Sequence, residues 1–225
     1  MSMHIIQKHI MRTLTVNTCL RYADIQPEGV EGNQFSYHLQ ALLKQKLIKR
    51  CTGGYALTAD GMLYTSSVTF ETYLVRSQAK VATLVICKND KGEYLTYHRR
   101  RQPFIGMYGF PYGKIHLGEK VQEAAERELA EKTGISVKLE QRAIMYLLVR
   151  DAEGETIAHT MFHIFIGTDL KGSIVPETGY GLIEWKNEKA LLKERIMPGV
   201  QQVLKIIKSK KPGLLFEEHE IVLAH

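Results

Sequence analysis

Apolar positions recur along the first third of the chain with the spacing of helices, and along much of the rest with the spacing of strands. Ile5, Ile6, Ile10, Met11 and Leu14 form a helical stripe, and a short helix is predicted over Leu20 to Ile25. Pro27, Gly29 and Gly32 then punctuate the chain. From Asn33, placed to cap the next helix, Phe35, Leu39, Leu42, Leu43 and Leu47 fall on one face. Leu47 to Cys51 and Tyr55 to Leu57 read as short strands joined through Thr52-Gly53-Gly54, and Thr58 to Gly61 opens another helix. The pattern changes character near residues 70 to 80. Val81 to Cys87 is a buried-strand run, Asn89 to Gly92 a turn, and Glu93 to Tyr97 a returning strand, which predicts a hairpin. A loop with Pro103, Gly106, Gly109, Pro111 and Gly113 leads to a helix over Gly118 to Thr133 that stops at Gly134. Strands follow at about Val137 to Val149, Thr156 to Ile166 and Leu182 to Trp185, then a helix from about Pro198; Leu214 to His225 carries no clear pattern. The expected division is a helical domain over 1–75 and an α+β domain over 76–225.

At 225 residues, with 44% apolar and 24% charged positions, the composition is that of a folded protein and excludes disordered or fibrous classes. The net charge of +6 permits a polyanionic partner without requiring one, and the first 78 residues hold half of it, +3, from eight Lys and Arg against five Asp and Glu. Cys19, Cys51 and Cys87 are odd in number and far apart, so neither a disulfide framework nor a zinc site is expected, which points to a reducing compartment. Lys8 and Arg12 interrupt the apolar stretch at the start, and no run approaches the length of a membrane span, so a cytoplasmic protein with no membrane partner is expected.

Chemistry is concentrated in the helix after Gly118. Glu128 and Glu131, at i and i+3, project on one face beside a Gly-rich loop, an arrangement suited to holding magnesium against a pyrophosphate. Gly113, five residues, Glu119, seven residues, Arg127-Glu128-Leu129, one residue, Glu131, and then Gly134-Ile135 resembles the Nudix box, matching eight of its nine fixed positions. The resemblance implies a Nudix fold, a mixed sheet sandwiched between helices, over roughly residues 79 to 208. It also implies metal-dependent hydrolysis, with Mg2+ or Mn2+, of a nucleoside diphosphate linked to another moiety. By motif position, Glu128 and Glu131 are the expected metal ligands, Arg127 and Glu119 pair to orient the helix, and the backbone carbonyl of Tyr112 faces the metal. Arg99 or Arg100, in His98-Arg99-Arg100-Arg101, is expected at substrate phosphates, and Glu177 is a candidate acid from a later loop. The box departs at Lys132, where the family has glutamate: an ammonium carries no lone pair and repels a divalent cation. Lys132 forms a helical ion pair with Glu128, or replaces one metal charge and grips the pyrophosphate itself, or is tolerated while Glu128, Glu131 and a loop carboxylate such as Glu177 still assemble a working site.

The segment Phe35-Ser36-Tyr37-His38-Leu39, with Leu42-Leu43, Leu47-Ile48, Gly53-Gly54-Tyr55, Leu57-Thr58 and Gly61, resembles the recognition helix and wing of winged-helix transcription regulators. By that resemblance Gln34, Ser36, Tyr37 and Gln40 reach base edges of double-stranded DNA, while Lys44, Lys46, Lys49 and Arg50 meet phosphates. Winged helices also act as dimerisation modules, so a homodimer is a candidate assembly. Two functions follow. The first is a Nudix pyrophosphohydrolase acting on acid anhydrides; the alternative is a winged-helix regulator whose degenerate Nudix domain senses a nucleotide metabolite such as ADP-ribose without hydrolysing it.

Overall fold

The computed structural model describes residues 3–69 and 72–223, which divide into two compact units, Met1–Ser77 and Gln78–His225. The first unit contains α1 (Ile5–Thr15), α2 (Tyr22–Ile25), α3 (Gly32–Lys44), the hairpin β1 (Ile48–Cys51) and β2 (Gly54–Leu57), and α4 (Ala59–Ser66). Its core is the periodic set expected from the sequence: Ile6, Ile10, Met11 and Leu14 of α1 meet Phe35, Leu39 and Leu42 of α3, with Ile25, Ile48 and Leu57 closing the cluster. Ile5, at the margin of the α1 stripe, is exposed. Helix α3 begins two residues earlier than expected. Glu31 is its N-cap residue and makes no side-chain cap, so Asn33 lies inside the first turn instead of capping it. Thr58 does cap α4, its hydroxyl accepting from Gly61 N at 3.0 Å.

Cys19 and Cys51 form a disulfide, which corrects the expectation of unpaired cysteines and removes the basis for a reducing compartment. Sequence spacing hides the pairing because a tertiary contact creates it. Leu20 and Tyr55 exchange two backbone hydrogen bonds, of 3.0 and 2.8 Å, drawing the connection before α2 against the hairpin. The flanking cysteines, 32 residues apart in sequence, then lie 6.7 Å apart at Cα. Cys87 is free and buried, and burial pushes its thiol up to about 12.

The second unit contains β3 (Lys80–Cys87), β4 (Tyr94–Arg99), β5 (Tyr108–Gly109), β6 (Tyr112–Lys114), α5 (Val121–Thr133), β7 (Ser136–Arg150), β8 (Thr156–Lys171), β9 (Glu177–Thr178), β10 (Gly181–Lys186), α6 (Glu188–Leu191), α7 (Val200–Lys208) and β11 (Leu215–Val222). A mixed five-stranded sheet has the order β11-β7-β8-β3-β6, and a four-stranded sheet the order β5-β4-β10-β9. β3 runs parallel to β8 and antiparallel to β6, whereas β7 is antiparallel to β8 and parallel to β11.

The expected hairpin of residues 81–97 is therefore only a turn. Asn89 closes it by accepting from Lys91 N and Glu93 N at 3.0 Å, but beyond the Lys88–Tyr94 bridge the two strands separate into different sheets. The all-apolar run of β3 is buried on both faces only in the middle of a sheet, and the 16-residue β8 offers it a full ladder. β11 was not legible as a strand: its residues alternate between half-buried and exposed as an edge, and three of them are glutamates. Helix α5 packs on β3, β6 and β7 through Ala124, Ala125 and Leu129, and α7 packs on β7. Among the described residues no helix is long and apolar enough to cross a membrane.

Candidate ligand site at the box helix

The end of α5 is fixed by Gly134, whose φ of +76° is open to glycine at little cost and which turns the chain directly into β7. Leu129 and Thr133 are buried on the inner face, so Glu128 and Lys132, one helical turn apart, point toward the β6 side. Gly113 on β6 makes room for them: a Cβ there would stand 1.7–2.2 Å from the carboxyl atoms of Glu128. The first box glycine is thus a seat for the carboxylate of the second box glutamate.

Arg127 and Glu119 pair as expected. Glu119 accepts from Arg127 Nε at 2.7 Å and Nη2 at 2.9 Å and from His116 N at 2.9 Å. The Arg127 hydrogen bond is the largest influence holding its carboxyl at about 2, with the His116 amide second. The same guanidinium donates to Lys114 O at 3.1 Å and lies 3.2 Å from Glu128 and 3.5 Å from the exposed Glu131. Arg127 therefore links the loop before α5 to three carboxylates of the box.

Lys132 is only 7% exposed. Its Nζ lies 2.7 Å from Glu128 Oε2 and donates to the Tyr112 carbonyl, the two groups expected to face a metal. The rings of Tyr112 and Tyr180 flank the ammonium at 5.4 and 5.5 Å. Burial is the main influence pulling its pKa below the ordinary lysine value; Glu128 opposes this, while Arg101 and Arg99 add to it. These groups do not fit a divalent cation as they are arranged. Glu128 is shared by two cations, Glu131 leans to Arg127, the Tyr112 carbonyl serves an ammonium, and no cluster of three metal-ligating side chains occurs among the described residues.

Lys132 lines a cleft of about 540 Å³ together with Arg99, Arg101, Tyr112 and Tyr180 and with the apolar side chains of Leu84, Met145, Leu147, Phe162 and Val203. Of the other expected phosphate contacts, Arg99 donates to the carbonyls of Gln102 and Pro103 and lies 5.7 Å over the Tyr112 ring. Arg100 points elsewhere and forms an ion pair with Glu177, so these two predicted substrate residues satisfy each other and neither lines the cleft. Arg101 and Tyr180 were missed. Arg101 lies beyond the end of β4 at Arg99, so strand periodicity does not place it, and Tyr180 had no sequence signal either.

In the first unit α3 exposes Gln34, Gln40, Lys44 and Tyr37, the last 72% accessible, and Lys46, Lys49 and Arg50 are exposed beside the hairpin. Ser36 is different. It is half-buried, with its hydroxyl 2.8 Å from that of Tyr22, and so faces the helix packing rather than solvent. His38, also on α3, is buried and stacks on His4 at 4.0 Å between ring centroids.

A profile of the NUDIX domain matches residues 78–204. The chain is 30% identical over 128 residues to an ADP-ribose pyrophosphatase of Methanocaldococcus jannaschii, an alignment that takes in 54% of this chain and 75% of the archaeal protein. The MutT protein of Bacillus halodurans superimposes with a TM-score of 0.51 at 26% identity, covering 61% of this chain and 89% of that one. The NUDIX domain of Shewanella oneidensis NrtR, solved with ADP ribose, shares the fold with a TM-score of 0.50 at 18% identity, covering 68% of this chain and 97% of that domain.

Proposed function

Because the chain belongs to the Nudix hydrolase family, we propose that its second unit binds a nucleoside diphosphate linked to a further moiety, and that its first unit, a winged helix, couples that binding to double-stranded DNA. Nudix hydrolases generally work with a divalent metal such as Mg2+ or Mn2+. The observation that carries a sensing role is the ammonium of Lys132, lodged between Glu128 and the Tyr112 carbonyl where the family's chemistry needs a cation free to activate water. A fixed ammonium supplies charge for binding but has no coordination position for a hydroxide. The residues left at the site bind and orient: Lys132 and the cleft arginines attract phosphate, Tyr112 and Tyr180 flank the ammonium, and Glu119 with Arg127 holds the loop against α5.

The winged-helix assignment is supported by the order of three helices, a two-stranded ribbon and a helix, and by the exposed polar face of α3 with the basic residues of the hairpin. In this reading Gln34, Tyr37 and Gln40 read base edges and Lys44, Lys49 and Arg50 contact phosphates; Ser36 braces α3 against α2 through Tyr22. Coupling requires the nucleotide to bind DNA-competent and DNA-incompetent forms with different affinity. A second reading, metal-dependent hydrolysis of the same ligand class, is supported by the eight retained box positions and by the archaeal relative named an ADP-ribose pyrophosphatase.

The test measures phosphate or nucleotide release with Mg2+ or Mn2+ over ADP-ribose, dinucleoside polyphosphates, nucleotide sugars and nucleoside triphosphates, alongside calorimetric binding of the same panel. Binding of one class without turnover, and a change in DNA affinity when that compound is added, is expected. Turnover by the wild-type chain that Glu128→Gln abolishes would replace the sensor with an enzyme.

A further inference from the structure

Three cations of the cleft gather around the Tyr112 and Tyr180 rings. Lys132 lies between the Tyr112 and Tyr180 rings, the Arg101 guanidinium lies 4.9 Å over the other partner of that pair, Tyr180, and Arg99 lies 5.7 Å over Tyr112. Among the described residues neither Arg99 nor Arg101 has a carboxylate partner, since the nearby loop acid Glu177 is engaged by Arg100. Arg99 is held by two loop carbonyls, so its position is set without its charge being neutralised. Among the described residues the carboxylate that touches this group is Glu128, 2.7 Å from Lys132, while Glu131 on the same helix leans to Arg127. Like charges gathered in a partly buried place are unfavourable unless an anion joins them.

We infer that Lys132, Arg99 and Arg101 receive the diphosphate of the ligand directly, so that binding in this unit does not depend on a divalent cation. This rests on the reading of the unit as a nucleoside-diphosphate binder. Glu128 and Glu131 are engaged by Lys132 and Arg127, whereas Arg99 and Arg101 have no carboxylate partner among the described residues, and a diphosphate bridging two groups carries one negative charge on each phosphate to meet them. Arg101 offers a planar fork for two phosphate oxygens, and Lys132 a point donor that Tyr112 and Tyr180 hold in place. A divalent cation, in contrast, would have to displace the Lys132 ammonium from Glu128 and enter a place where Arg127, at 3.2 Å from the same carboxylate, is also positive.

Titration calorimetry of the full chain with ADP-ribose as the probe, in EDTA, in Mg2+ and in Mn2+, tests this directly. The dissociation constant is expected to agree within about twofold across the three buffers and to weaken steeply with added salt. Arg101→Gln and Lys132→Gln are each expected to weaken binding by about tenfold or more, the worth of one charge-assisted hydrogen bond, and Arg101→Lys to recover part of the loss. Fluorescence of Trp185, the chain's one tryptophan, verifies that each variant is folded. Binding that appears in Mg2+ and vanishes in EDTA would overturn the inference while leaving a metal-dependent nucleotide binder. Wild-type affinity in Arg101→Gln would also overturn it. Absence of ADP-ribose binding in every buffer, with no other nucleoside diphosphate derivative bound, would instead overturn the reading on which it rests.

Discussion

Removing either member of the Glu128–Lys132 pair should not cost the same. Glu128 touches two cations, Lys132 at 2.7 Å and Arg127 at 3.2 Å, whereas among the described residues Lys132 has Glu128 as its single carboxylate partner, beside a carbonyl and two rings. Lys132→Met leaves the carboxylate still paired with Arg127, and the stem of the side chain is replaced by apolar atoms of similar volume, so a loss of about 0 to 2 kcal/mol is expected. Glu128→Gln leaves a buried ammonium without its counter-charge, a change that typically costs about 3 to 5 kcal/mol. An upper limit follows from the proton itself. Lysine can escape by becoming neutral, and from its ordinary value of 10.5 this costs about 5 kcal/mol at pH 7, at roughly 1.4 kcal/mol per pH unit.

The sign of the pH dependence follows. Burial lowers the folded-state pKa of Lys132, so the unfolded chain binds the proton more tightly, and stability rises as pH climbs from the folded value toward 10.5. The deficit of Glu128→Gln should therefore shrink as pH rises. Urea unfolding followed by Trp185 emission reports the second unit alone, because that residue is the chain's one tryptophan and lies on β10. With a slope of about 2 kcal/mol/M, Glu128→Gln should lower the midpoint by about 2 M at pH 7 and Lys132→Met by less than about 1 M. Equal losses, the reverse order, or a deficit that grows toward pH 10 would refute the seating of the ammonium on Glu128.

Gly113→Ala should force Glu128 from its seat, since the new methyl would stand 1.7–2.2 Å from the carboxyl atoms; a loss of about 1 to 3 kcal/mol by the same Trp185 assay, with weakened ADP-ribose binding, is expected. Cys19→Ser should lower the stability of the first unit by about 2 to 4 kcal/mol, read by circular dichroism melting, and a reductant should have the same effect on the wild type but none on the variant. His38, whose pKa is lowered first by burial and then by His4, should contribute stability above about pH 6.5 that is lost as pH falls through its depressed folded value; His38→Phe should flatten that dependence in circular dichroism melts.

Much of the second unit was legible because its chemistry is local. The box occupies 23 consecutive residues, Gly113 to Ile135, and its spacing places Glu119, Arg127 and Glu128 before any tertiary contact is known. The core helices of the first unit were legible for the same reason, their apolar stripes having a helical period. What escaped depends on distant partners. The separation of β3 from β4 is decided by β8, about 80 residues further on; the disulfide by a bridge between Leu20 and Tyr55; the engagement of Glu177 by Arg100 across 77 residues. Ser36 was misplaced because helical geometry gives a side chain's direction but not the identity of the neighbour, Tyr22, that waits for it. The place of the Lys132 ammonium was left open among three readings; in the structure it forms the ion pair with Glu128 and donates to the Tyr112 carbonyl.

The pairing of β3 with β8 also sets a timetable for synthesis. The first unit is complete within 77 residues, and its hairpin and helices can close as soon as they leave the ribosome. β3 emerges next, finds only the three-residue β6 early, and must wait until Thr160 to Gly167 have been made for its full ladder. At about 5 to 20 residues per second, some 80 residues correspond to roughly 4 to 16 seconds during which the run Leu84-Val85-Ile86-Cys87 is a nascent strand without its main neighbour. Over that interval β3 trails the first unit as a sticky thread, and ribosome-bound chaperones would be expected to engage it there.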